Sequence, residues 1–165
     1  MWGASLFGME ERSSGIAALH QRIPFLLSQL GAHLAEDFVR RLEPFGIEPR
    51  IYAVLTALSE VDGQSQRELS AQLGIHRNAM VAVVDKMESL GLVKRLPHPA
   101  DRRAFAVTLT DKARELLPAL DAEGRAQEDA VTAAMTPAER RETLRLLQKM
   151  SSTVGLVPGV HPKLG

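Results

Sequence analysis

Apolar residues recur at every third or fourth position in several stretches of the chain, a spacing that predicts helices with one buried face. In "FLLSQLGAHLAEDFVRRLEPF" the stripe is Leu26, Leu27, Leu30, Leu34, Phe38 and Leu42. Pro24 suits the first turn, where its missing N–H is not needed, and Pro44 with Gly46 ends the helix. A second helix after Pro49 turns Ile51, Val54, Leu55 and Leu58 inward, and the "DGQ" at 62–64 breaks it. Ser65, with Glu68 three residues on, forms a capping box for a short helix that buries Leu69 and Leu73 and stops at Gly74. "RNAMVAVVDKMESLG" predicts the next helix, with Met80, Val83, Val84, Met87 and Leu90 inward and Gly91 as its stop.

The period then shifts towards two. "LVKRL" predicts a short strand, "PHPADRR" a turn, and "AFAVTLT" a second strand with Phe105, Val107 and Leu109 on one face. Thr110 caps a long helix expected to run from Asp111 to about Met135, with a kink at Pro118. "TPAE" at 136–139 combines a Thr cap, Pro at the first helical position and Glu at the third, and starts a last helix to about Thr153. Residues 1–22 read as an arm in which Ser13, Ser14 and Gly15 could start a short helical turn. Residues 154–165, rich in Gly and Pro, read as an aperiodic tail.

Short capped helix, tight turn, second helix, hairpin: this order predicts a winged helix-turn-helix over residues 46–110. The expected fold class is mainly α with a small β-hairpin wing, a winged helix-turn-helix plus terminal dimerisation helices at 23–45 and 111–153. Those flanking helices exceed what so small a module can cover, which favours a core shared between two subunits.

Composition narrows the function. Hydrophobic residues at 45% suffice for a core, and zero cysteines exclude disulfides, thiolate zinc sites and thiol redox switches. Aromatics at 4% argue against a stacking platform for single strands. The N-terminus has no basic leader, and no stretch reaches the roughly 18 apolar residues of a membrane span, so a cytoplasmic protein with no membrane partner is expected. Net charge is zero, but from Gln66 to Lys112 eight basic residues face five acidic ones. That gives +3 there and −3 over the remainder.

This local field suits duplex DNA. The second helix of the pair can enter a major groove about 12 Å wide. The hairpin reaches the neighbouring minor groove, whose concentrated negative potential draws arginine. With its apolar side inward, that helix leaves Arg77, Asn78, Val81, Ala82 and Lys86 for the groove. Arg77 and Asn78 are expected to carry most base readout, since Val81 and Ala82 can only pack against a thymine methyl. His76 is a poor helix cap. Gln66 and Arg67 on the short helix, with Arg102 and Arg103 on the hairpin tip, complete the DNA-facing set.

The run "GIHRNAMVAVVDKMESLGLVKRLPHPADRRAFAVTLTDKA" resembles the signature of the MarR family of bacterial transcription regulators. The resemblance extends from about Ile23 to Met150 and is most specific in "VDKMESLGLVKR" and "DRRAFAVTLT". It implies a homodimer joined through the terminal helices, bound to a pseudo-palindromic operator as a repressor that a small ligand releases. Asp101 and Arg103 match the family's Asp-x-Arg wing motif, in which the acid orients the arginine that enters the minor groove, leaving Arg102 for a phosphate. Arg95 matches the arginine closing the first wing strand and Asp85 the acid inside the recognition helix. Both are implied to tie wing to helix. The family's ligands, often small aromatic or phenolic anions, would place His33, Arg40, Arg50 and Tyr52 near an effector cleft.

Blander readings stand beside these. Asp101, Arg102 and Arg103 taken alone would be a solvated turn, and Arg77 and Asn78 an exposed first turn. The five histidines show no metal-ligand spacing on one helix, and no phosphate loop, nucleophile motif or metal dyad is present, so no metal, cofactor or enzymatic activity is expected. The remaining alternative is a helical protein-interaction module on a winged-helix scaffold with weak or no DNA reading.

Overall fold

The helix predicted to begin at Ser65 does so: the Glu68 N–H donates to Ser65 Oγ, and the Glu68 carboxylate accepts from the Ser65 N–H at 2.7 Å. The same reciprocal bonds join Thr136 and Glu139, while Thr110 Oγ1 accepts from the Ala113 N–H. Each satisfies backbone donors that the first helical turn leaves without partners.

The computed structural model describes residues 15–99 and 103–162. They divide into two units, Met1–Ala35 and Glu36–Gly165. The first holds α1 (Ala17–His20) and the opening turns of α2 (Ile23–Leu42), and none of its described residues is buried. The second continues with a 3₁₀ turn (Glu43–Phe45), α3 (Pro49–Glu60), β1 (Gln64–Ser65), α4 (Gln66–Leu73) and α5 (Arg77–Ser89). Then come β2 (Val93–Pro97), β3 (Phe105–Leu109), α6 (Asp111–Val131) and α7 (Pro137–Thr153). The polar arm expected over the first residues lies, up to residue 14, outside the described residues.

The core of the second unit follows the predicted stripes. Ile51, Val54, Leu55 and Leu58 of α3 meet Leu69 of α4, Met80, Val84 and Met87 of α5, and Val107 of β3. Leu120 of α6 and Leu42 at the end of α2 are fully buried as well. The fold is mostly helical with a small antiparallel sheet.

Three expectations need correction. The sheet has three strands in the order β1-β3-β2, because Gln64 and Ser65 pair with Val107 and Ala106 before α4 begins. Phe105 does not join Val107 and Leu109 in the core: it is 57% exposed, at the end of β3 opposite Pro97. Ala106 is buried in its stead. Finally α6, with Pro118 inside it, stops at Val131, four residues short of Met135.

Candidate nucleic-acid interface

α4 and α5 are joined through Gly74, Ile75 and His76, and Ile75 anchors the turn in the core. His76 occupies the cap position of α5 without a side-chain cap bond, as its imidazole chemistry predicts. Since Met80, Val84 and Met87 point inward, Arg77, Asn78, Val81, Ala82, Asp85 and Lys86 are all left exposed. A shallow groove of about 670 Å³ follows the turn, lined by Arg67, Ser70, Gly74, His76, Arg77 and Asn78 among others. Gln66, the first residue of α4, is half-buried, and its Nε2 meets no hydrogen-bond partner among the described residues.

The wing is built by β2 and β3 in register from Val93 opposite Leu109 to Pro97 opposite Phe105. The His98 N–H extends the ladder to the Ala104 carbonyl at 3.2 Å. Arg103 stands exposed where the tip rejoins β3. Asp101 and Arg102 lie outside the described residues.

Arg95 holds this hairpin to α5. From β2 its guanidinium donates to Asp85 and to Glu88, both on α5. Burial opposes its charge, but the bonds from these two carboxylates win, and its pKa is raised. The Lys86 amine is also engaged, with Glu48 just before α3. On the other flank, the Glu68 carboxylate lies 3.9 Å from His98 Nε2. The Ser65 N–H, helped by the Ser65 hydroxyl, holds Glu68 below the ordinary carboxylate range.

Three positioning acids escaped the sequence reading: Glu48, Glu88 and above all Asp62. Asp62 Oδ1 accepts from the Gly63 N–H and the Leu109 N–H, both at 3.0 Å, while Oδ2 takes the Arg114 guanidinium. One carboxylate thus joins the end of α3 to β3 and α6. The Asp-Gly pair signals a turn, yet nothing local signals its distant partners.

The residues assigned to an effector cleft lie on α2 and α3. Arg40 pairs with Asp37 at 3.1 Å, and Tyr52 meets Phe38 edge to face with centroids 5.0 Å apart. The Tyr52 hydroxyl lies against α6 at Gly124, where a Cβ would approach it to 3.4 Å. Arg50 is half-buried, and His33 is exposed within the first unit. Asp37 also accepts from Arg41 at 2.6 Å and from Gln127 at 3.1 Å, which fastens the end of α2 to α6. Arg41, followed by Gln127, lowers its pKa. Among the described residues no three of His, Asp and Glu gather as a metal site, and no helix is long and apolar enough to cross a membrane.

A model of the MarR family matches residues 45–104, from the end of the 3₁₀ turn to just before β3. The HTH-type transcriptional repressor Rv2887 of Mycobacterium tuberculosis is 32% identical over 128 residues, 78% of this chain and 92% of that protein. The transcriptional repressor CouR, solved bound to a 23-mer DNA duplex, superposes with a TM-score of 0.73 at 29% identity, over 84% of this chain and 98% of its own. CouR from Rhodococcus jostii RHA1 bound to p-coumaroyl-CoA gives 0.69 at 29% identity, over 82% and 96%.

Proposed function

The chain belongs to the MarR family of transcription regulators, and from that premise we propose that it is a ligand-responsive repressor that binds a pseudo-palindromic duplex operator as a homodimer. The observation that carries this reading is the pairing of an exposed α5 face with a wing fixed to it through Arg95, Asp85 and Glu88. Arg77 and Asn78 sit in the first turn of α5, the part of a recognition helix that meets base edges. Val81 and Ala82 follow on the same face and offer methyl groups to thymine. Gln66, Arg67 and Arg102 supply backbone contacts, and Arg103, oriented by Asp101, enters the minor groove. Lys86 contributes least, because Glu48 already neutralises it.

Apolar side chains with no cover support a second copy. Leu144, Leu146, Leu147 and Met150 of α7 are exposed, as are Phe25, Leu27 and Leu30 of α2. A two-fold dimer would place two α5 helices in half-sites about one helical turn apart. For the effector, CouR's p-coumaroyl-CoA is an aromatic anion, and Arg40, Arg50, Tyr52 and His33 are the residues of this chain suited to such chemistry.

Exposed Val81, at 44%, favours one rival, a winged-helix scaffold that docks protein and reads no DNA. A duplex titration separates the two. Arg103→Ala should weaken operator binding by about 1–3 kcal/mol. Unchanged affinity removes the wing assignment, and equal affinity of the wild type for operator and random duplex favours the rival.

A further inference from the structure

The wing carries an aromatic ring that the core does not use. β3 begins at Phe105, and period-two alternation puts its side chain on the face of Val107 and Leu109, both buried. Across the ladder the same face carries their partners in register, Pro97, Arg95 and Val93. That face looks towards α5, because Arg95 reaches Asp85 and Glu88 from it. Val107 and Leu109 are sealed into the core, whereas Phe105, one pair nearer the tip than the Arg95 clamp, is 57% exposed. The ladder continues past it through the His98 N–H to the Ala104 carbonyl at 3.2 Å, so the ring is mounted on paired strand.

Position and charge say what meets this ring. Two residues before it stands exposed Arg103, assigned above to the minor groove. On the side the ring faces lies α5, which carries Arg77 and Asn78 for the major groove. A duplex seated in this way runs one sugar-phosphate strand between the two elements. The wing strands themselves carry Lys94 and Arg95 and no acidic residue. An apolar ring on an acid-free ribbon suits a polyanion whose sugars present C–H faces.

We propose that Phe105 is the apolar contact of the wing: its ring packs on deoxyribose of the strand that separates the groove of α5 from the groove of Arg103. Deoxyribose has no 2′-hydroxyl, so an aromatic ring covers it without stranding a polar group, whereas a ribose would set its hydroxyl towards the minor groove and the ring. Ring and guanidinium then act differently. Arg103 supplies an attraction that salt weakens, and Phe105 a burial that salt does not weaken. The inference rests on the DNA-binding reading above.

Three variants of the full chain, Phe105→Ala, Phe105→Leu and Arg103→Ala, test it. Each is titrated across salt concentrations against the duplex that the wild type enriches from genomic DNA and against a scrambled duplex, and each is unfolded in urea. Phe105→Ala should weaken the enriched duplex about tenfold with the slope of log affinity on log salt unchanged. Arg103→Ala should reduce that slope by about 0.9, the signature of one lost phosphate contact. Phe105→Leu should recover part of the loss, and the urea midpoint of both Phe105 variants should match the wild type, because the ring is exposed. A single ribonucleotide moved along the enriched site should weaken the wild type at one place in each half-site and leave Phe105→Ala indifferent there. Unchanged affinity in Phe105→Ala overturns the proposal, as does a lowered urea midpoint, which would make the ring structural. Equal sensitivity of wild type and Phe105→Ala to the ribonucleotide overturns the sugar contact. A wild type that binds neither duplex, or both equally, overturns the DNA-binding reading and this contact with it.

Discussion

Arg95 reaches from β2 to two carboxylates on α5, so the wing strand and the recognition helix are fixed to each other by side chains as well as by the loop between them. Its own side chain is only 20% exposed, but Asp85 and Glu88 are open to water, which limits what the pairs contribute to stability. Arg95→Ala should therefore cost about 1 kcal/mol in urea unfolding, yet reduce operator affinity out of proportion, because a loose wing must be ordered on binding. Lysine should restore little, since one ammonium cannot bridge two carboxylates as a guanidinium fork does. Equal losses in stability and affinity would contradict a positioning role. Asp62→Ala should behave differently, costing about 1–3 kcal/mol by stranding the Leu109 amide, which a lowered urea midpoint would reveal. Arg95 and Asp85 were legible through a family motif. Asp62 was not, because Arg114 is 52 positions away and such a pair leaves no periodic trace in the chain.

At the scale of elements, local chemistry was the most reliable guide. Ser65 with Glu68 and Thr136 with Glu139 are capping boxes in sequence and in structure, since both groups of each box lie within one turn. What failed needed distant neighbours: the third strand depends on β3 lying beside Gln64, and Phe105 is exposed because it ends its strand near the tip. The tail was readable from Gly155 and Pro158-Gly159 as turn signals, both glycines taking positive φ, but a search for periodicity passes over consecutive turns. The capping box also makes a pH prediction. Glu68 is held below the ordinary carboxylate range by the Ser65 N–H, so the charged form stabilises the fold above about pH 4.5 and that stabilisation is lost as pH falls through the depressed folded value. Glu68→Gln keeps a capping acceptor but cannot ionise. The gap in melting temperature between wild type and this variant should be widest at pH 7 and narrow as the solution is acidified below about 4.5. A gap constant down to pH 3 would contradict the account.

Over the whole molecule, a zero net charge hides a partition of +3 within residues 66–112 against −3 elsewhere, and that partition was visible in the sequence. Exposure of the α7 leucines was legible only as an excess of flanking helix over what the module can cover, because an amphipathic stripe looks the same whether its cover is the same chain or another copy. Sedimentation equilibrium should give twice the 18.0 kDa of one chain, and Leu144→Glu with Leu147→Glu should return it to the single-chain mass. A wild type that sediments at the single-chain mass would remove the dimer. Sequence-specific duplex recognition is the central claim, and the most direct measurement is selection of bound fragments from genomic DNA, followed by titration of the enriched site against a scrambled duplex. The account predicts one enriched inverted repeat, with half-sites about one helical turn apart, bound at least about 10³-fold more tightly than the scrambled sequence. Recovery of fragments at their starting frequencies, with equal affinity for both duplexes, would contradict it.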